Sequence, residues 1–153
     1  MKTRIFLAIL SLLVLITVTA GNRPDDAKVL QGTWIPTKAE LGGVGMGSDT
    51  LKIITLKIDN GKYEVTAETL DKGTYTINPD AKPKALDITG VEGPNAGKKI
   101  LAIYEFKGDT LRVCYNLGPG PRPTEFQSPA GSAYFLATYK RKPKDVPAPP
   151  TTN

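Results

Sequence analysis

Two short ribbons constrain this chain more than any other feature of it. Leu51 to Ile58 and Lys62 to Thr66 flank Asn60-Gly61, the dipeptide best suited to the positive-φ positions of a two-residue hairpin turn. Such a turn sets Ile58 against Tyr63 and Leu56 against Val65 on one face, and Asp59 against Lys62 and Lys57 against Glu64 on the other. Apolar pairs on one side and opposite charges on the other fix the register twice, because a one-residue slip would exchange the faces. The second ribbon runs from Lys99 to Phe106 and from Thr110 to Asn116 around Gly108-Asp109, a type II′ turn with glycine leading. In it Phe106 faces Leu111, Tyr104 faces Val113 and Ala102 faces Tyr115, while Glu105 with Arg112 and Ile103 with Cys114 occupy the other side. Neither face is purely polar, so this ribbon is expected to be covered twice: by core on one side, and by loops or a cavity on the other.

Further strands follow from the same alternation. Gly32 to Leu41 reads as the first, with Pro36 restricting it to an edge, a bulge or a strand end. Thr74 to Ile77 follows an expected turn at Asp71-Lys72-Gly73; Ala85 to Thr89 follows the breaks around Pro79 and Pro83; Ser132 to Lys140 is the last. Gly42 to Ser48, Gly90 to Gly97 and the stretch Leu117 to Ala130, with its four prolines, read as loops. Ala27 to Gln31 leave room for one helical turn before the first strand. The total is about eight strands joined by tight turns. That pattern predicts an all-β, antiparallel, up-and-down sheet closed as a barrel, since closure removes the edges a flat sheet must protect; a sandwich is the alternative.

The ends of the chain read differently. Lys2 and Arg4 precede an apolar run from Ile5 to Val18, and Val18-Thr19-Ala20 supplies small residues for a cut. A run of that length falls short of a membrane span and fits a secretory leader over residues 1–20. Its removal from the 153 residues leaves 133, enough for one domain with its own core, expected over 21–141. Residues 142–153, with Pro143, Pro147, Pro149 and Pro150, read as a disordered tail. The expected location is outside the cytoplasm, periplasmic or extracellular, with no membrane span once the leader is cut. Losing Lys2 and Arg4 lowers the formal charge from +5 to +3, thinly spread and without interleaved aromatics, so no nucleic-acid surface is expected.

Near the start stands Leu30-Gln31-Gly32-Thr33-Trp34, with the only tryptophan; near the end stands Arg141. An arginine laid over the indole would clasp first strand to last by stacking and cation–π attraction. This opening resembles that of lipocalin-like (calycin-type) barrels, whose tryptophan has such an arginine partner. The order of motifs is similar to an uncharacterised secreted-domain family found mainly in planctomycete bacteria. The matching pieces include Gly73-Thr74-Tyr75, Lys82 to Asp87, Gly97-Lys98, Ile103-Tyr104-Glu105, Gly108 to Tyr115 and Arg122-Pro123-Thr124-Glu125-Phe126. They span nearly all of the expected domain. The resemblance implies a fold and an exported location, and no activity.

Chemistry is limited by what is missing. The chain has no histidine, which removes the usual general base, nucleophile activator and metal ligand. Cys114 is its only cysteine, so no intrachain disulfide forms, and a buried small apolar role is expected for it. The glycine-rich loop Gly42 to Ser48 lacks the Lys-Ser/Thr ending of a phosphate-binding loop. Asp87 and Glu105 are candidate carboxylates for acid–base work, which depends on their separation; the competing reading makes each a surface charge or a salt-bridge partner. No enzyme, metal or cofactor is expected. A candidate binding cluster consists of Tyr104, Arg112, Cys114 and Tyr115 on the second ribbon with Arg122 and Phe126 on the following loop. If that loop covers the barrel mouth, Arg122 would meet a carboxylate or phosphate and the aromatics an apolar body. The competing reading pairs Arg112 with Glu105, buries both tyrosines in the core and uses Arg122 to tie the loop down. Two functions therefore remain open: a monomeric carrier of a small, partly apolar or amphipathic molecule, or an envelope protein-interaction module with a filled interior. A cavity with a few converging polar groups separates them.

Overall fold

A computed structural model describes residues 25–143 of the chain. The expected leader, and the expected tail beyond Pro143, lie outside the described residues. In chain order the elements are α1 (Asp26–Leu30), β1 (Gly32–Leu41), β2 (Val44–Gly45), α2 (Ser48–Lys52), β3 (Thr55–Asp59) and β4 (Lys62–Thr66). They continue with β5 (Leu70–Asn78), β6 (Lys84–Glu92), β7 (Lys99–Lys107), β8 (Thr110–Asn116) and β9 (Tyr134–Arg141). Strands β3 to β9 pair antiparallel in sequence order, and β1 pairs with both β3 and β9. The result is a closed, eight-stranded, up-and-down antiparallel barrel, with β2 a two-residue flap on the end of β1.

Both ribbons adopt the expected registers. Ile58 stands opposite Tyr63, Leu56 opposite Val65, Asp59 opposite Lys62 and Lys57 opposite Glu64. In the second, Phe106 pairs with Leu111, Tyr104 with Val113, Ala102 with Tyr115, Glu105 with Arg112 and Ile103 with Cys114. Asn60 and Gly61 both take positive φ, and Gly108 has φ 60, as the leading residue of a type II′ turn requires. Pro36 borders a bulge in the β1–β9 pairing, which steps from Pro36 to Lys38.

Three local expectations are corrected. Leu51 to Ile54 do not extend β3 downward in sequence; Ser48 to Lys52 form α2, with Asp49 in its first turn and an Asp49–Lys52 ion pair one turn apart. Asp71-Lys72-Gly73 is no turn. It lies inside β5, and the chain reverses earlier, between Thr66 and Leu70. Gly73 is small because two backbones meet there: a Cβ on it would lie 2.0 Å from the Thr89 carbonyl oxygen, beside a bulge that leaves Val91 of β6 unpaired. Gly90 likewise belongs to β6, so the β6–β7 loop is shorter than expected.

The base of the barrel is plugged. Helix α1 lies across it, N-capped by the Asp25 carboxylate on the Ala27 N–H. Trp34 is 1% exposed and its indole N–H donates to the Leu30 carbonyl at 2.9 Å. The Arg141 guanidinium sits 4.2 Å from the Trp34 ring centre and also donates to the Val29 and Gln31 carbonyls at the C-terminal end of α1. One arginine thus joins last strand, first strand and plug. Gly32 takes φ 122, and a Cβ there would lie 2.7 Å from the Arg141 Nη1, so the glycine of Gly32-Thr33-Trp34 makes room for the clasp. Beside it the buried Asp26 carboxylate accepts from Tyr104 Oη at 2.7 Å and Lys84 Nζ at 2.6 Å, tying α1 to β6 and β7.

The ring is not uniform. β1 meets β9 over seven residue pairs but β3 over only three, Gly32 to Trp34 against Ile58 to Leu56. Beyond Trp34 the β2 flap and α2 occupy the notch between the two strands.

Candidate functional site

Strand alternation sends one row of side chains inward from each strand. The inward rows of β3 to β9 leave a cavity of about 290 Å³, opening at the end opposite α1. Its wall is mainly aliphatic, with Leu56, Ile58, Val65, Ile88, Ile100 and Val113 among the lining residues and Leu30 at the floor. The mouth lies between Ile54, Ala67, Thr69, Pro94 and Leu117.

Besides Thr69 at the mouth, polar groups enter this wall in three places, one of them the Tyr75 hydroxyl, which accepts from Gln31 Nε2 at 3.3 Å. On β4 and β5, the Tyr63 hydroxyl donates to Asp71 Oδ2 at 3.0 Å, and Asn95 donates through its backbone N–H and its side-chain amide to the two carboxylate oxygens, each at 3.0 Å. Burial and the adjoining Asp71 carboxylate push the Tyr63 phenol above its ordinary range. Across the barrel, the Tyr115 and Tyr139 hydroxyls stand 3.3 Å apart and have no other hydrogen-bond partner among the described residues. Burial, reinforced by Tyr139, pushes Tyr115 well up, and burial pushes Tyr139 up to about 12. Tyr63, Tyr115 and Tyr139 stay neutral at ordinary pH.

The expected binding cluster does not converge. Of its six residues only Tyr115 lines the cavity. Tyr104 is interior but packs at the base, its hydroxyl on Asp26. Arg112, Cys114, Arg122 and Phe126 belong to the outer wall. The loop from Leu117 to Ala133 starts at the mouth and runs as a strap over the outside of β6 to β8, so it does not roof the opening. Arg122 on it donates to the Leu86 and Ala102 carbonyls and to Asp87. Pro123 is fully buried. Arg112 donates to Glu105 and to the Phe126 carbonyl, with its guanidinium 5.1 Å from the Phe126 ring. The thiol of Cys114 faces the Gln127 carbonyl at 3.4 Å, and burial pushes its pKa up. With Ile103 and Ala85 these residues form a small second core outside the barrel, which explains why the second ribbon is apolar on both faces. The carboxylate or phosphate contact expected of Arg122 is replaced by three contacts within the chain.

Asp87 and Glu105 also point outward and apart. Asp87 lies opposite Leu101, four residues along β7 from Glu105, a separation of roughly 13 Å along the strand. Asp87 is held by Arg122 and Lys99, and Glu105 by Arg112 and Lys107. Although burial alone would raise the Asp87 carboxyl, the hydrogen bonds from Arg122 and Lys99 hold it below its ordinary range.

Around the mouth the surface is apolar. Leu41, Val44, Ile53, Leu70 and Leu117 are exposed at this end, Val44 to 71%, while Val91, 66% exposed, faces the outer wall beside Lys57, Lys62, Glu64 and Lys72. The five at the mouth come from the tip of β1, the β2 flap, the end of α2, the start of β5 and the end of β8, and Val91 from the β6 bulge.

Fold and site together define a class: a closed antiparallel barrel, plugged at one end, with an apolar cavity reached from the other. No family model matches the chain, and no curated protein matches it.

Proposed function

We propose that this chain is an exported, monomeric, non-enzymatic lipocalin-like barrel that carries a small, partly apolar molecule in its interior. The observation that supports this reading is the cavity itself: about 290 Å³ of mainly apolar space with three polar groupings in its wall and a mouth at one end. That arrangement suits a ligand with an apolar body and little polarity. A filled interior would have favoured the interaction module. The carboxylates do not argue for hydrolysis, since Asp87 and Glu105 are separated and each is paired with cations.

The apolar rim supports a second reading, in which the mouth docks on an envelope protein. Native mass spectrometry of protein isolated from its own source separates the two. A co-purifying small molecule, released on unfolding, is expected of the carrier. Protein recovered free of small molecule, and bound instead to a second polypeptide, would overturn the carrier reading in favour of the module.

A further inference from the structure

We infer that the cavity selects an uncharged, largely apolar molecule bearing a hydrogen-bond acceptor such as an ester or ketone carbonyl, seated against the Tyr115 and Tyr139 hydroxyls. The inference rests on the carrier reading and names the ligand class for that site. It begins with the charges. Among the described residues no lysine or arginine lines the cavity; its ionisable wall groups are tyrosines and Asp71. The arginines that flank the lining residues in sequence are engaged elsewhere, Arg112 and Arg122 on the outer strap and Arg141 on the clasp at the base. A carboxylate entering this space would give up its water without meeting a cation, and would share the wall with Asp71. The interior already treats its own phenols this way, since burial raises Tyr63, Tyr115 and Tyr139 alike.

A cation fares little better. Among the described residues Asp71 is the only carboxylate of the wall, and three donors from Tyr63 and Asn95 already occupy its oxygens. An ammonium group would have to displace one of them and strand it.

Counting hydrogens at the opposite wall supplies the positive half. Two phenols carry two O–H hydrogens, and one of these lies between them. The second hydroxyl hydrogen has no acceptor among the described residues, and both rings line the cavity. An acceptor on the ligand completes this pair, so a carbonyl gains a bond that a hydrocarbon cannot form. A ligand hydroxyl would be accommodated as well, through its oxygen.

The test uses the full-length chain and an uncharged fluorescent probe, N-phenyl-naphthylamine, displaced by four competitors of similar length at neutral pH: methyl octanoate, octanoate, octylammonium and nonane. Methyl octanoate is expected to displace the probe at concentrations at least about tenfold below either ion, reflecting the unpaid desolvation of a buried charge. Replacing both tyrosines together, Tyr115→Phe with Tyr139→Phe, is expected to weaken the ester about fivefold while leaving nonane unchanged, the scale of one neutral hydrogen bond, whereas either replacement alone leaves one hydroxyl free to donate. Circular dichroism melts confirm that the double variant folds, and the ester-to-acid comparison needs no variant. If the probe binds but octanoate or octylammonium competes as well as the ester, the selectivity is overturned and the carrier reading stands. An ester affinity unchanged in the folded double variant overturns the role of the tyrosines. If neither probe nor any competitor binds, the carrier reading falls and this inference with it.

Discussion

Replacing Trp34 with alanine tests what holds the base of the barrel together. The indole is the largest of the fully buried side chains, 1% exposed, within 6.4 Å of the Phe106 ring, bonded to the Leu30 carbonyl and covered by Arg141. Two effects compete to explain its importance. Emptying a buried tryptophan site costs about 3–5 kcal/mol through lost transfer energy and the void left behind. The cation–π contact with Arg141 is worth only about 0.5–1 kcal/mol, because Arg141 is solvent-exposed. Filling should therefore outweigh clasping. Against a domain stability of about 5–15 kcal/mol, Trp34→Ala leaves a marginal fold, whereas Arg141→Met costs about 1–2 kcal/mol once its bonds to the Val29 and Gln31 carbonyls are included. Urea unfolding followed by far-UV circular dichroism avoids reliance on the fluorophore that the substitution removes. At a slope of about 2 kcal/mol per molar urea, the Trp34→Ala midpoint should fall by roughly 2 M and that of Arg141→Met by less than about 1 M. A Trp34→Ala midpoint no lower than that of Arg141→Met would refute the argument that packing dominates at the base.

Glycine substitutions should rank by what a Cβ meets. Gly73→Ala drives the new carbon into the Thr89 backbone and should abolish cooperative thermal unfolding, whereas Gly32→Ala, facing the movable end of Arg141, should retain it with a loss of about 1–3 kcal/mol. Cys114 should resist thiol reagents in the native state, and Arg122→Ala, which frees the strap, should speed its labelling without global unfolding; rapid labelling of the unmodified protein would contradict its burial. Four of the six tyrosines (Tyr63, Tyr104, Tyr115 and Tyr139) have raised folded pKa values, so they favour the fold fully below about pH 10, where the unfolded phenols are neutral. That contribution is lost as pH rises from there through the folded values, so ultraviolet titration should show these four ionising late, together with loss of the native circular dichroism. Independent ionisation near pH 10 in a folded chain would oppose the assignment.

The fold was legible where side-chain pattern and turn chemistry agreed. Asn60-Gly61 and Gly108-Asp109 set two registers residue for residue, and alternation put Leu56, Ile58, Tyr63 and Val65 on one apolar face, which turns inward. Gly73 misled because glycine marks either a turn or a close approach of two chains, and only the partner strand, carrying Thr89, tells which. Leu51 to Ile54 misled because a short apolar run fits helix and strand equally. The binding cluster failed for a different reason. Arg112, Cys114, Arg122 and Phe126 are indeed neighbours, but alternation on β8 puts Arg112 and Cys114 outside the wall that Tyr115 faces. Asp71 and Asn95 escaped notice because the first was assigned to a turn and the second to a loop, and their meeting depends on β5 and β6 lying side by side.

The short seam between β1 and β3 bears on how this molecule assembles. From β3 to β9 every pairing joins neighbours in sequence, so that meander can zip up one hairpin at a time at small entropic cost. Only β1 must find strands on both flanks, and the Arg141 contact to Val29 bridges 112 residues. Annealing of β1 is thus the step with the largest loop to close and, on its β3 side, the fewest residue pairs gained. Because Trp34 lies on that strand, its emission will time the sealing of the ring and stay silent while the hairpins form.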